Sequence, residues 1–463
     1  MYFLYSLLTA AGMILLLPYF LVQGLRRGKY LHNITERLGA LPAAALAQEA
    51  SAPGAIWIHA VSVGEALAAL PLARRLKEQF PKRRLVVSTT TTTGQRLARE
   101  RMDFADAVFY FPLDWGFAVR RALRAVRPSL IVVLETEIWP NVLREARRAG
   151  VPVVFVNGRL SERSFRRYQR ALWWLGIVLR GFLARVLADA QLYLMQTEAD
   201  AQRLRALGAP SERVVVAGNM KYDLAPSSAT PMVHWLENEL RRHDRRPVIV
   251  AGSVTEGEES LVLIAFGIPQ GQWRRALLVL APRKPERFGA AARLAEESQR
   301  KILRRSDIVL DGTAPTALTE EISVLLLDNV GELAGLYRLA DAVFVGGSLV
   351  PDGGHNILEA AACGKPPLFG PSMENFSAMA AKFLESGAAM QVDSPEALGV
   401  AWVELIQDRE RRERMGASAR ALVESNRGAT ERSLEAIARI LESPQRQETA
   451  QSVSGSRAAG SRE

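Results

Sequence analysis

A chain of 463 residues, of which 48% are hydrophobic, exceeds what one hydrophobic core usually organises, so we expect two domains. Its single cysteine, Cys363, excludes an intrachain disulfide framework, and its five histidines lack the paired spacing of a zinc site. We therefore expect no bound metal and no cofactor. The net charge of +10 favours anionic partners such as phospholipids, phosphorylated lipids or nucleotides. No compact basic tract with interleaved aromatic residues occurs, so nucleic acid is not an expected partner.

The amino-terminal segment is apolar and uncharged over residues 1–25, a length that suffices to cross the hydrocarbon layer of a bilayer as a helix. Arg26, Arg27 and Lys29 follow it directly, whereas a cleavable signal peptide carries its basic residues before the apolar run. We predict a retained membrane anchor over residues 1–25, with the remainder of the chain on the cytoplasmic side. The alternative is a buried helix of a soluble protein, because Pro18 interrupts the run.

Short β-branched runs alternate with amphipathic stretches, which predicts parallel, doubly wound sheets. The runs cover residues 55–60, 84–90, 130–135, 151–157, 213–219, 248–253, 276–282, 322–328, 341–347 and 366–370. A polar break between residues 226 and 247 separates two such series. We predict an α/β domain over residues 26–225, another over residues 245–442, and a disordered polar tail over residues 443–463.

Ligands of open parallel sheets bind beyond the carboxyl ends of the strands, and Glu65 follows the first predicted strand there, in the segment HAVSVGEA. Ser62 and Glu65 also form a capping-box pattern, in which Glu65 only satisfies the amino end of a helix. That helix end would lower the pKa of the carboxyl and weaken it as a base, unless burial compensates. The local sequence leaves a catalytic and a capping role open.

Two further glutamates, Glu135 and Glu137, follow a predicted strand in LETEIWPN. On the assumption that the two side chains point in opposite directions, we expect at most one to face a ligand. The next segment, GRLSERSFRRY, is rich in arginine and precedes a strongly apolar stretch. Guanidinium groups beside an apolar face suit a phosphorylated lipid, although a core helix with a solvated basic edge has the same pattern.

In the second half, Pro282 and Arg283 follow a strand, and VGEL at residues 330–333 precedes a short helix. The stretch VGGSLVPDGGHNILEAAACGKP combines glycines with Asn356 and Glu359 near the start of a helix. Backbone N–H groups for a phosphate and a carboxylate for ribose hydroxyls make this the predicted nucleotide site. Neither half opens with the G-x-G-x-x-G turn of a dehydrogenase.

Taken together, these segments closely resemble the 3-deoxy-D-manno-octulosonic acid (Kdo) transferases that act on lipid A precursors. The matching segments, in order, are HAVSVGEA, ETEIWPN, NGRLSERSFRRY, GNMKYD, AGSVTEGEE, APRKPERF, VGEL and GGSLVPDGGHNILEAAACGKP. The resemblance implies a GT-B fold, with two Rossmann-like domains facing each other across a cleft. It also implies CMP-Kdo as the donor, the lipid A precursor lipid IVA as the acceptor, and the cytoplasmic side of the inner membrane as the location.

The resemblance assigns roles to particular residues. Glu65 matches the family's catalytic base, and Glu135 and Lys221 match positions that stabilise the transition state. The CMP-binding positions are Pro282, Arg283, Val330, Gly331, Glu332, Asn356, Ile357, Leu358 and Glu359. Thr255 and Lys284 stand where the family often has histidine, a departure that bears on donor affinity and pH dependence.

Two alternatives remain at this point: a lipid-directed GT-B transferase that uses a UDP-sugar donor, and a catalytically inactive binding protein with the same fold. The sequence contains no motif that sets how many Kdo residues are added, and none that sets the acyl-chain tolerance or the oligomeric state.

Overall fold

The computed structural model describes residues 1–27, 33–46, 53–223, 230–310 and 317–442. These residues form two compact units. The described residues up to Asp223, together with residues 427–442, make the first unit, and residues 230–426 make the second. The polar tail at residues 443–463 and Lys29 lie outside the described residues, so the predicted disorder of the tail stays a prediction.

The first unit is built on a seven-stranded parallel sheet. Its strands are β1 (Ala55–Ala60), β2 (Leu85–Thr89), β3 (Ala107–Tyr110), β4 (Pro128–Leu134), β5 (Val153–Gly158), β6 (Leu192–Met195) and β7 (Val214–Val216). Their spatial order is β3-β2-β1-β4-β5-β6-β7. The register pairs Trp57 with both Val86 and Ile131, so β1 and β4 lie side by side at the centre. The chain order reverses between β1 and β4, which is where ligands of such sheets bind.

The second unit contains another seven-stranded parallel sheet. Its strands are β8 (Val248–Val254), β9 (Leu277–Pro282), β10 (Lys301–Arg304), β11 (Ile322–Leu326), β12 (Ala342–Val345), β13 (Pro367–Phe369) and β14 (Met390–Gln391). Their spatial order is β10-β11-β9-β8-β12-β13-β14. All ten runs predicted from the sequence contain a strand, and β3, β6, β10 and β14 were not predicted.

The α-helices surround these sheets. In the first unit they are α1 (Tyr2–Arg27), α2 (Ile34–Arg37), α3 (Val63–Gln79), α4 (Thr92–Arg101), α5 (Gly116–Val126), α6 (Pro140–Arg148), α7 (Glu162–Leu187) and α8 (Glu198–Ala206). In the second they are α9 (Pro231–Arg242), α10 (Glu259–Gln272), α11 (Phe288–Glu297), α12 (Leu333–Leu336), α13 (Leu358–Ala362), α14 (Ser377–Glu385), α15 (Pro395–Gln407) and α16 (Arg409–Ser425). The last helix, α17 (Ala429–Glu442), returns to the first unit.

Both sheets are buried on their two faces. Every residue of β1 and β9 is buried, as the continuous apolar runs of these strands require. On one face of the first sheet Trp57 packs with Phe109 and Val133, and on the other Ile58 packs with Leu72 and Val132. The result is a rigid central layer whose strands all end at the same edge.

The domain boundaries differ from the prediction at both ends of the second domain. The polar break contains the twelve-residue helix α9, whose Met232, Leu236 and Leu240 are buried at helical spacing. Helix α17, predicted as the end of the second domain, belongs to the first unit, where Leu434 and Ile437 enter the core. The charged residues of α9 made its sequence resemble a polar linker, although its apolar residues have helical spacing.

The amino-terminal helix α1 starts on the surface of the first unit. The Tyr2 hydroxyl donates to Asp189 at 2.8 Å, and the Tyr5 hydroxyl donates to Asp114 at 2.9 Å. The opposite side of the same turns exposes Phe3, of which 81% is accessible. Among the described residues, no helix combines the length and apolar character needed to cross a membrane, so the predicted spanning anchor is not confirmed.

Candidate active site

Glu65 lies at the carboxyl edge of the first sheet, in the first turn of α3. The Val61 N–H donates to one carboxylate oxygen at 2.7 Å, and the Ser62 hydroxyl donates to the other at 2.8 Å. In return, the Glu65 N–H donates to the Ser62 hydroxyl oxygen at 3.3 Å. The capping interaction considered from the sequence is therefore present.

The same carboxyl has the protonation chemistry of a base. The pKa of Glu65 is raised to about 7, mainly by burial, and the negative charges of Glu135 and Glu137 contribute to this rise. The hydrogen bonds from Val61 and Ser62 act in the opposite direction but do not outweigh burial. A carboxyl with a pKa near 7 exchanges a proton readily at neutral pH, so capping and general-base roles coexist in one side chain.

Strand alternation does not separate Glu135 from Glu137, because residues two apart on a strand share a face and both of these lie beyond the end of β4. Strand β4 ends at Leu134, and Glu135 adopts a left-handed backbone conformation with φ of 57°. Its N–H still donates to Val156 on β5 at 2.9 Å. Both glutamates interact electrostatically with Glu65, so both lie close to it, and the expectation that at most one of them faces a ligand stays a prediction. The structure thus gathers three carboxyl groups at the ends of β1 and β4.

Lys221 lies in the 3-10 turn Met220–Asp223, which packs against α3. The Lys221 N–H donates to Asn219 at 2.9 Å, and the preceding Met220 N–H donates to Asn157 Oδ1 at 3.0 Å. On the other side, Asp223 accepts hydrogen bonds from residues at the start of α17. The turn that carries this lysine is therefore fixed against the sheet and against two helices.

The amino-terminal half of α7 forms an exposed basic platform beside the carboxyl groups. Glu162, Arg163, Arg166, Arg167 and Arg170 line an open concavity there. Arg166 pairs with Glu162 at 2.8 Å, whereas Arg163, Arg167 and Arg170 have no ion-pair partner within the described ranges. Burial and the charge of Glu137 raise the pKa of Tyr168, which places this turn of α7 close to the carboxyl cluster.

The predicted nucleotide segments of the second unit follow three strands of its sheet. Pro282 ends β9, residues 330–332 follow β11, and residues 356–359 follow β12. Because β11, β9, β8 and β12 are consecutive in the sheet, all three segments emerge at the same edge. Burial lowers the pKa of His355 and raises the pKa of Glu359. In both groups the positive charge of Arg283 acts to lower the pKa, so these side chains lie near one another.

The side chains in these segments differ in how far they are exposed to solvent. Glu332 is held by Arg305 through two hydrogen bonds of 2.7 and 3.0 Å, while the neighbouring Val330 is 66% exposed. Ile357 and Leu358 have fully buried side chains. Only backbone atoms of these two residues are suited to contact a ligand.

Comparison with known proteins identifies the family. Residues 32–224 match the family model of 3-deoxy-D-manno-octulosonic-acid transferase (kdotransferase), and residues 316–422 match glycosyl transferases group 1. The 3-deoxy-D-manno-octulosonic acid transferase of Haemophilus influenzae is 33% identical over 95% of this chain and 99% of its own length. The corresponding transferase of Bordetella pertussis is 36% identical over 82% of this chain and 86% of its own.

The chain belongs to the Kdo transferase family. It is therefore a glycosyltransferase, and the sugar that it transfers is Kdo. This result replaces both alternatives left by the sequence, the UDP-sugar transferase and the inactive binding protein.

Solved structures of lower sequence identity support the fold of this Kdo transferase. MurG of Acinetobacter baumannii aligns with a TM-score of 0.52 at 16% identity, over 84% of this chain and 100% of that one. A putative UDP-N-acetylglucosamine 2-epimerase of Listeria monocytogenes aligns with a TM-score of 0.53 at 15% identity, over 84% of this chain and 96% of that one. With the two parallel-sheet units, these matches establish the GT-B fold.

Two residues that lie beside the predicted site residues were quoted in motifs but given no role from the sequence. Asn157, at the end of β5, is almost fully buried, has φ of 56° and holds the turn of Lys221. His355 lies beside Arg283, and burial together with that charge lowers its pKa to about 4, so its imidazole is neutral at neutral pH. For Asn157 the sequence did contain a signal, because an asparagine directly before a glycine at the end of a strand favours a left-handed turn conformation.

Proposed function

We propose that this Kdo transferase moves Kdo from CMP-Kdo to the lipid A precursor lipid IVA, with inversion at the anomeric carbon and with Glu65 as the base. The observation that carries the proposal is the Glu65 carboxyl, which lies at the carboxyl edge of the first sheet with a pKa raised to about 7. A base with that pKa is ionised to a useful extent at neutral pH and still binds a proton when the reaction delivers one.

In the proposed reaction an acceptor hydroxyl gives its proton to the Glu65 carboxylate, and its oxygen forms a bond to the anomeric carbon of Kdo. The bond from that carbon to the phosphate oxygen breaks at the same time, and CMP leaves with the electron pair. Attack from the side opposite the leaving group inverts the anomeric configuration. Lys221 supplies positive charge to the forming anionic groups, as electrostatic catalysis requires, and Glu135 acts with it on the transition state.

The donor is assigned to the second unit. Arg283 offers a guanidinium group for the phosphate of CMP, and Glu359 offers a carboxylate for the ribose hydroxyls. Burial raises the pKa of Glu359 and the nearby Arg283 lowers it. The remaining donor contacts come from Pro282, Val330, Gly331, Glu332 and Asn356 and from the backbone of Ile357 and Leu358. These charged side chains are the basis for proposing that no metal ion is needed.

The acceptor is assigned to the basic platform on α7. Arg163, Arg167 and Arg170 are exposed and without ion-pair partners in the described part of the chain. Guanidinium groups bind phosphates through paired hydrogen bonds, and the phosphates of a lipid A precursor supply such groups. The electrostatic contact between Tyr168 and Glu137 links this platform to the carboxyl cluster, where the acceptor hydroxyl would be activated.

Membrane association is assigned to α1, on the cytoplasmic side of the inner membrane. Phe3, Leu7 and Leu8 are exposed on its outer face by 81%, 54% and 63%. Exposed apolar side chains of this size on one helix favour insertion into a bilayer interface. Liposome flotation of the wild type and of a Leu7→Gln, Leu8→Gln variant tests this assignment; equal binding of both would contradict it.

The reaction is tested by incubating the full chain with freshly generated CMP-Kdo and lipid IVA in detergent and reading the lipid products by mass. We expect the wild type to add Kdo and the Glu65→Gln variant to lose activity by a factor of about a thousand or more. The control is Glu78→Gln, at an exposed glutamate on the same helix, which should keep full activity. Full activity of Glu65→Gln would return Glu65 to a capping role, and no product from wild type would reject lipid IVA or CMP-Kdo. The masses also give the number of Kdo residues added.

A further inference from the structure

Two adjacent carboxylates at the start of α10, Glu258 and Glu259, are completely buried. They belong to the segment AGSVTEGEE, which runs from the end of β8 to the start of α10, and the sequence analysis gave these two glutamates no role. Burying a carboxylate is costly unless it is fully hydrogen-bonded or paired with a cation. Glu258 is hydrogen-bonded mainly by backbone N–H groups of one loop, and Glu259 is paired with an arginine of another loop.

Glu258 is saturated by backbone donors. One of its oxygens accepts from the N–H groups of Gly347 at 2.6 Å and Thr255 at 3.2 Å. The other accepts from the N–H groups of Ser348 at 2.9 Å and Leu349 at 2.8 Å. Three of these donors are consecutive residues of the loop that follows β12. With four donors on two oxygens, Glu258 has no capacity left for a ligand.

The loop after β12 has glycines where this carboxylate approaches it. A Cβ atom at Gly346 would lie 2.6 Å from the Glu258 carboxylate, and a Cβ atom at Gly347 would lie 2.7 Å from the His355 ring. Gly347 also has φ of 70°, a conformation that favours glycine. The Gly354 N–H donates back to the Gly347 oxygen at 2.7 Å, which closes the loop. These contacts therefore fix the positions of His355 and of residues 356–359, which follow it.

Glu259 holds a second loop. One of its oxygens accepts from Arg287 Nε at 2.8 Å, and the other accepts from the Gly257 N–H at 3.0 Å. Arg287 belongs to APRKPERF, the segment that begins with the last two residues of β9 and contains Pro282 and Arg283. Its guanidinium also donates to Glu256 at 3.1 Å. The loop after β9 is thus tied to the start of α10 by a salt bridge whose carboxylate is inaccessible to water.

We propose that Glu258 and Glu259 are positioning residues for the donor nucleotide. Glu258 fixes the loop of Asn356 and Glu359, and Glu259 fixes the loop of Pro282 and Arg283. Because β9, β8 and β12 are neighbours, one helix start between them holds both nucleotide-contacting segments in place before the donor binds. The proposal rests on the assignment of these segments to CMP under the proposed function.

The expected effect is on donor binding, since a loop that must be ordered during binding lowers affinity. In a Glu258→Gln variant one terminal oxygen becomes an NH2 group that faces backbone donors, so two N–H groups lose their acceptor. We expect CMP to bind about ten to a hundred times more weakly to Glu258→Gln and about ten times more weakly to Glu259→Gln. Turnover at saturating donor should fall much less than affinity, because neither side chain touches the reacting atoms.

A matched control is available in the same unit. Glu239 is 4% exposed, accepts a hydrogen bond from the Leu318 N–H at 2.9 Å and pairs with Arg242, so it too is a buried carboxylate that holds backbone. It lies on α9, outside the segments assigned to the donor. Glu239→Gln should lower thermal stability and leave CMP affinity unchanged.

The experiment is calorimetric titration of CMP into the full-length wild type and the three variants, with hydrogen exchange followed at residues 346–356 and 283–287. We expect faster exchange of the first loop in Glu258→Gln and of the second in Glu259→Gln, each with weakened CMP binding. Should Glu258→Gln fail to fold, Glu259→Gln and Arg287→Lys, which keeps the charge but loses the Nε donor, carry the test. Unchanged CMP affinity in the folded variants, or equal weakening in Glu239→Gln, would overturn the positioning role. A wild type that binds no CMP would instead overturn the donor assignment on which the proposal rests.

Discussion

The side-chain oxygen of Asn157 accepts a hydrogen bond from the backbone N–H of Met220 at 3.0 Å. Asn157 is the penultimate residue of β5 and has a left-handed backbone conformation, and Met220 begins the turn that carries Lys221. The N–H of Met220 can only donate, so it fixes the orientation of the Asn157 amide. This single contact joins the centre of the first sheet to a segment that lies beyond its edge strand.

Replacing Asn157 by alanine is expected to destabilise the first unit by about 2 kcal/mol, because alanine is strained at positive φ and leaves a buried N–H without an acceptor. Asn157→Gly keeps the backbone conformation and loses only the acceptor, so its loss should be smaller. Urea unfolding monitored by tryptophan fluorescence measures both. If the glycine and alanine variants had the same free energy of unfolding, backbone strain would not contribute to the destabilisation.

The rate of Kdo transfer should depend on pH through Glu65. Its carboxyl must be ionised to accept a proton, and burial raises its pKa to about 7. Below that pH, kcat/KM should therefore fall about tenfold per pH unit, and above it the rate should level off. The measurement is the initial rate between roughly pH 5.5 and 8.5, a range that brackets this pKa. It gives the pH below which kcat/KM begins to fall, here called the acidic limb.

A Glu135→Gln variant provides the complementary measurement. The charge of Glu135 raises the pKa of Glu65, so its removal should move the acidic limb to lower pH even if the maximal rate also falls. A limb that stays in place, or moves to higher pH, would contradict the electrostatic coupling of these two carboxyl groups.

Loss of the basic platform on α7 should weaken acceptor binding. Combining Arg163→Gln, Arg167→Gln and Arg170→Gln removes three exposed guanidinium groups and is expected to raise the KM for lipid IVA about tenfold or more. The KM for CMP-Kdo should not change. Arg101→Gln, at an exposed arginine on α4, serves as the control. If only the KM for CMP-Kdo increased, the assignment of these arginines to the acceptor would be wrong.

The attachment of α17 to the first unit should depend on Asp223. Its two carboxylate oxygens accept from the N–H groups of Gly428 at 2.6 Å and Thr430 at 2.5 Å. Asp223→Ala leaves both donors without an acceptor and should destabilise this attachment by about 1 to 2 kcal/mol. Hydrogen exchange within residues 429–442 should become faster.

Asp408 offers the matched comparison, because it caps α16 in the second unit through the Arg411 N–H at 2.8 Å. Asp408→Ala should accelerate exchange at the start of α16 and leave α17 unchanged. Equal protection of α17 in wild type and Asp223→Ala would show that apolar packing alone holds this helix.

The fold could be predicted well wherever the signal was local. The run AIWIHA is strand β1 with the predicted bounds, and the ten predicted runs all contain strands. Strands β3, β10 and β14 lie at the sheet edges and were missed because they are short, with four, four and two residues. Helix α9 was taken for a polar break because charged residues dilute its apolar face. The unit to which α17 belongs depends on contacts with Asp223, far earlier in the chain.

The sequence by itself determined the alternation of strands and helices, the order of the motifs and the family, because β-branched runs and short motifs act through neighbouring residues. Only the tertiary structure decided the protonation of Glu65, since its pKa depends on burial and on carboxylates brought from β4. It also decided that Glu258 and Glu259 face two different loops, although they are adjacent in a motif that gave no such indication. Desolvation and hydrogen bonds between distant segments exist only after the sheets have assembled, and for that reason local sequence patterns do not contain them.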